Sequence, residues 1–206
     1  MVEGNEGLMG PLTIDAVIDR LQLLGCVSTE GGPLLIADLS AASKWSGLDG
    51  EPSDYDRLLG QLQGAGDPPG LQIDLAGIPV VVWQMPTGTA EIWRRDDNSL
   101  LISRPWLEAG SHRAAALAGL PARNPVLIGS LHIETGWVVV VWATEAGEEF
   151  ADLRPGEGRV LNLSVDGAGL VVGLSPGAYE CFQDEVVEQS ESTQRCFVVP
   201  KGVAPS

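Results

Sequence analysis

Apolar and polar positions along this chain change period several times, and the changes mark its elements. The densest apolar run is Trp137-Val138-Val139-Val140-Val141-Trp142, entered through Glu134-Thr135-Gly136. It is too short for a membrane span and apolar at every position, which predicts a strand buried on both faces. Glu30-Gly31-Gly32-Pro33 leads in the same way into Leu34–Ala37, a second such strand. Leu71-Gln72-Ile73-Asp74-Leu75 alternates and predicts a half-buried strand, followed by strands at Ile78–Trp83 and Leu100–Pro105. The stretches from Gly177 to about Val187 and from Thr193 to Val199 read as a hairpin. Residues 1–10 have no period. From Pro11, Leu12, Val17, Ile18, Leu21 and Leu24 recur at helical spacing, with Gly25 as the stop and Cys26–Thr29 as a short strand after it. A helical turn is expected at Ser40–Trp45. A helix is expected at Ser53–Leu62, with Ser53 as N-cap and Asp54 and Asp56 in its first turn. Ser111–Ala118 is a third helix, ended by Gly119 and Pro121.

The strand patterns occur twice in the same order. Leu71, Ile73, Leu75 and Gly77 match Leu161, Leu163, Val165 and Gly167 at constant spacing, and Val80-Val81-Val82 and Pro86 match Leu170-Val171-Val172 and Pro176. With one residue deleted, Gly88 meets Gly177, Glu91 meets Glu180, Trp93 meets Phe182 and Asp96 meets Glu185. The fold class expected is therefore α+β, predominantly β, with two similar antiparallel β-rich halves. An N-terminal extension with one helix occupies 1–25. The first half is 26–105 with a helical insertion at 40–62, a helical connector spans 106–127, and the second half is 128–206.

Composition adds many tight turns, from 26 glycines and 14 prolines, and a large negative charge. There are 28 acidic and 12 basic side chains, net −16, and the excess lies in the first 56 residues and beyond residue 145. Such a surface serves solubility, or steers the protein to a basic partner while repelling nucleic acid. The acidic start Met1-Val2-Glu3-Gly4-Asn5-Glu6 does not suit a signal peptide, and no run suits a membrane helix, so a cytoplasmic protein is expected. Cys26, Cys181 and Cys196 lack CxxC spacing, which argues against a zinc site or a disulfide scaffold. The hairpin would set Cys181 roughly opposite Cys196 as packed thiols.

Candidate chemistry is sparse. The histidines, His112 at a helix start and His132 in a strand, have no partner that spacing can place and read as structural. No nucleophile elbow, zinc-protease motif, P-loop or dinucleotide fingerprint occurs. Asp166-Gly167-Ala168-Gly169 is a turn rather than a calcium loop, and Arg94-Arg95 is a small basic spot followed by acids. No catalytic set, metal site or cofactor is expected. Trp83, Trp93, Trp137 and Trp142 fit a core, while Trp45 and Trp106 at element ends can be lids or interface anchors. The segment Lys44–Asp56, absent from the second half, joins Trp45 to Asp49, Glu51, Asp54 and Asp56, the residues taken as a partner-binding set. The plainer reading stands beside it: Trp45 caps the first core and the acids solvate a helix start.

Three motifs stand in order: Glu30-Gly31-Gly32-Pro33-Leu34-Leu35, then Trp45-Ser46-Gly47 with Asp49-Gly50, then Asp54-Tyr55-Asp56-Arg57. This order resembles the immunity protein 21 family of bacterial polymorphic-toxin systems. Glu134-Thr135-Gly136 with its valine run, and Leu174-Ser175-Pro176-Gly177-Ala178-Tyr179, are similar to that family's second half. The resemblance implies a cytosolic protein that neutralises a cognate toxin by binding it, with no chemistry of its own. The partner would be a basic toxin, and neither nucleic acid nor membrane is expected as a partner. The alternative, from a different class, is a carboxylate-dependent hydrolase or a small-molecule-binding β domain.

Overall fold

The valine run sits where its composition requires. In the computed structural model it forms strand β8 (Trp137–Trp142), a central strand of a six-stranded antiparallel sheet. Val138 and Val140 point into the core between two sheets, while Trp137, Val139 and Val141 point into a second core on the opposite face. Replacing Val139 or Val140 with alanine is expected to lower unfolding free energy by about 1–3 kcal/mol, from lost transfer energy plus a cavity. Thermal melts unchanged in both variants would contradict that central place. The residues described are 21–29, 31–85, 87–95, 97–105, 111–147, 150, 161–162, 169–188 and 191–205. The helical pattern expected before residue 21, Glu30, Pro86, Asp96, Trp106, most of the acidic segment 145–158, and residues 163–168 with the Asp166 turn lie outside them.

The remaining strands are β1 (Leu21–Thr29), β2 (Leu34–Asp38), β3 (Gly70–Leu75), β4 (Ile78–Trp83), β5 (Gly88–Arg95) and β6 (Leu100–Pro105) from the first half of the chain. The second half supplies β7 (Val126–Ile133), β9 (Leu161–Asn162), β10 (Gly169–Gly173), β11 (Gly177–Glu188) and β12 (Glu191–Pro200). Three short helices complete the described elements: α1 (Leu39–Ala42), α2 (Asp54–Gly64) and α3 (His112–Ala118). The fold is thus α+β and predominantly β. One sheet runs β1-β5-β6-β12-β11-β7 and the other β3-β4-β2-β8-β10-β9. They pack face to face through Val27, Ile92, Leu100, Ile102, Cys181 and Val198 on one side and Leu34, Ile36, Val81, Trp83, Val140 and Leu170 on the other.

The halves do not fold as two bodies set side by side; each contributes three strands to both sheets. Reading outward from the middle of each sheet, the halves present matching strands: β6 and β12, β5 and β11, β1 and β7, then β2 and β8, β4 and β10, β3 and β9. The pairings match in detail. Leu34 faces Trp83 and Ile36 faces Val81, as Val138 faces Val172 and Val140 faces Leu170. A bulge leaves Leu24 as the extra residue of β1, just before Gly25, and Ile128 as the extra residue of β7, just before Gly129. This register matches Val81 to Leu170 and Trp83 to Val172. The sequence alignment over these strands is one residue out, which would turn every side chain to the opposite face.

Two boundaries also move. Leu21–Gly25 belongs to a strand rather than to a helix, and Val126–Leu127 belongs to β7 rather than to the connector. Helix α3 has the expected Ser111 cap, whose side chain accepts from the Ala114 amide. It covers the outer face of the first sheet, where Ala115 and Ala118 meet Trp93, Leu101 and Phe197. The outer face of the second sheet is covered by the insertion: Leu39, Ala41, Trp45, Leu58 and Leu62 pack on Leu35, Val80, Val82 and Val139.

Candidate functional site

The insertion between β2 and β3 is the segment from which the partner-binding set was drawn. Its entry is fixed by Asp38, 1% exposed at the end of β2. One carboxylate oxygen accepts from the Ser40 amide and hydroxyl at 2.8 and 2.6 Å, capping α1. The other accepts from the Glu134 amide, the Thr135 amide and the Thr135 hydroxyl at 3.0, 3.0 and 2.8 Å. One side chain thereby ties the insertion to the turn that feeds β8. Burial alone would raise the Asp38 pKa, but the hydrogen bonds from Ser40 and Thr135 prevail and hold it below the ordinary value. A depressed folded pKa contributes stability above the unfolded value of about 3.9, and that contribution is lost as pH falls through the folded value. The melting temperature is expected to fall on acidification below about pH 4 and to fall less steeply in Asp38→Asn. Parallel pH profiles for the two proteins would contradict this.

The structure separates the five candidate residues. Trp45 is 3% exposed, and its Nε1 donates to the Ala143 carbonyl at 2.8 Å, so the ring is a lid on the core and not an exposed anchor. Asp54 is a fastener. Its Oδ2 accepts from the Ser46 amide and hydroxyl at 2.9 and 2.8 Å, and its Oδ1 from Arg57 at 2.9 Å. Burial opposes ionisation there, yet the bonds from Ser46 and Arg57 keep the pKa below its usual range. Asp56 closes a capping box with Ser53 at the start of α2, although it remains exposed. Asp49 and Glu51 stand in solvent on the loop between.

Sequence reasoning missed Leu48, which is 60% exposed beside those two carboxylates. Its backbone is held firmly: the Leu48 amide donates to the Thr144 carbonyl at 3.1 Å, and the Tyr55 amide donates to the Gly47 carbonyl at 3.0 Å. Gly47 has a positive φ of 58°, and a Cβ there would collide with the Thr144 and Glu145 backbone. Trp45-Ser46-Gly47 is therefore a fastening motif, with a ring in the core, a hydroxyl on Asp54 and a glycine against the neighbouring turn. That turn, residues 143–147, follows β8 as the insertion follows β2, so the loops of the two halves meet on one surface.

A second polar group lies across the outer face of the first sheet. Cys26, Glu91, Ser103, Arg195 and Asp184 are neighbours in register on five successive strands. Arg195 and Asp184 have fully buried side chains and pair bidentately, Nε to Oδ1 at 2.8 Å and Nη2 to Oδ2 at 2.5 Å. Arg195 also donates to the Ala118 and Pro121 carbonyls at 3.1 and 3.2 Å, capping the end of α3, and stacks 5.0 Å from the Phe197 ring centroid. Ser103 links Trp93 Nε1 to Glu91, at 3.0 and 3.2 Å. Burial and the Glu91 charge push the Cys26 thiol up, away from a reactive thiolate. Cys181 and Cys196 are buried free thiols set diagonally, Cys181 opposite Val198 and Cys196 opposite Gln183. Their mutual hydrogen bond, with burial, pushes the Cys181 thiol well up. His132 is exposed, its Nε2 3.8 Å from Glu134. Among the described residues no group of three or more His, Cys, Asp or Glu is placed to hold a metal ion, and no helix is long and apolar enough to cross a membrane.

These features define a two-sheet antiparallel β fold with one elaborated, acid-bearing loop. No protein-family model matches the chain, and no curated protein or solved structure matches it.

Proposed function

We propose that this chain is an immunity protein, which neutralises a cognate bacterial toxin in the cytoplasm by binding it and carries out no chemistry of its own. The observation that supports this reading is the insertion loop. It is bolted to the second half of the scaffold by Trp45 and Gly47 and braced within itself by Ser46–Asp54 and the α2 cap, yet it holds Asp49 and Glu51 in solvent. A rigid display of this kind lowers the ordering cost of association. With a net charge of −16, the field around it favours a basic partner and disfavours nucleic acid. The resemblance to immunity protein 21 adds the toxin context, and the matching registers of the two halves support a duplicated scaffold with specialisation in one copy.

The hydrolase alternative draws less support. Asp184 is committed to Arg195, Glu91 is buried beside Ser103, and the Cys26 thiol is held protonated. The test is co-expression with the product of the adjoining gene, which the proposal expects to be the toxin. Wild-type protein is expected to restore growth and to co-purify with that toxin; continued killing at equal expression would overturn the proposal.

A further inference from the structure

We infer that Leu48 is the apolar anchor of the docking surface, and that its occupant is a cationic protein face carrying an apolar socket. This rests on the reading of the chain as a protein-neutralising inhibitor and names where that binding occurs. Among the described large apolar residues Leu48 is the most exposed, at 60%. Acids alone would not single out this loop, because acids occur throughout the chain. The leucine does: it stands in water while Trp45, three residues earlier, is buried, and while Leu39, Leu58 and Leu62 of the same insertion are all in the core.

The backbone that carries Leu48 is pinned on both sides, by Gly47 lodged against Thr144–Glu145 and by the Leu48 amide on Thr144. The exposed tip, Leu48 to Pro52, places Asp49 and Glu51 immediately beside the leucine. An apolar side chain on a rigid base within a charged rim follows the apolar-centre, polar-rim anatomy of protein interfaces. The rim chooses the occupant. A second copy of this chain would bring Asp49 and Glu51 against themselves, at a like-charge cost, whereas a cationic face complements them.

The experiment measures binding of the purified product of the adjoining gene, the expected toxin, to wild type, Leu48→Ala, Leu48→Asp and the double variant Asp49→Lys/Glu51→Lys, with thermal melts and sedimentation on each. Melts of the Leu48 variants are expected to match wild type, because the side chain is exposed. Leu48→Ala is expected to weaken Kd about tenfold or more, mainly through faster dissociation. The double lysine variant is expected mainly to slow association. Wild-type binding with Leu48 variants within about twofold of it would overturn this inference and leave the proposed function standing. A wild-type dimer that Leu48→Asp dissociates would assign the surface to a second copy and overturn it equally. Absence of any wild-type complex with the toxin would overturn both.

Discussion

Asp184→Ala is expected to destabilise the protein by about 3–5 kcal/mol, the cost of leaving a buried guanidinium without its carboxylate. Arg195 has no exposed side-chain surface, and its fork is filled by Asp184 on one side and by the carbonyls at the end of α3 on the other. Asp184 also accepts from the Arg123 amide at 2.7 Å, so the change releases the segment after α3 together with the pair. Arg195→Lys with Asp184 kept is expected to destabilise as well, because an ammonium cannot reproduce the bidentate fork. Denaturant unfolding of Asp184→Ala, Arg195→Met and the double variant checks this. A double variant less damaged than the sum of the singles is expected, and a loss below about 1 kcal/mol in Asp184→Ala would contradict the account.

Trp45→Ala is the second large effect, expected to cost about 3–5 kcal/mol as a buried aromatic is removed. The indole also spans the joint between halves through its bond to Ala143, 98 residues away in sequence. Its loss is expected to loosen the Leu48 loop, so affinity and stability fall together. Leu48→Ala, by contrast, should change affinity alone. A Trp45→Ala protein that melts like wild type would return the ring to the surface.

What the sequence reveals depends on how local each interaction is. β8 was legible because six apolar positions in a row, four of them valine, leave no polar face for a helix or an edge strand. The α2 start was legible because Ser53 and Asp56 close their own cap. Leu21 and Leu24 imitated a helix for a specific reason. Side chains three apart in a strand point to opposite faces, and both faces of this sheet are covered, so Leu21 packs on the outer core and Leu24 on the inner one. Trp45 could not be placed, because its partner Ala143 lies on the other half of the chain. Asp38-Leu39-Ser40 carries a readable cap signal in its own sequence, whereas the bonds of Asp38 to Glu134 and Thr135 depend on the sheet order. Asp54 and Asp56 looked equivalent to Asp49 and Glu51 in composition. Only the fold separates the carboxylates that fasten the loop from those it displays, so charge reversal at Asp54 tests stability and reversal at Asp49 and Glu51 tests the field.

In the proposed function, the acidic surface steers a basic toxin onto a rigid loop. The most direct test is the association rate of wild-type protein with the product of the adjoining gene, the toxin this proposal expects, followed by stopped flow across ionic strengths. Raising salt from about 0.1 M to 1 M shortens the screening length from about 10 Å to about 3 Å, and the rate is expected to fall steeply over that range, with dissociation little changed. An association rate indifferent to salt, or no complex at any ionic strength, would contradict it.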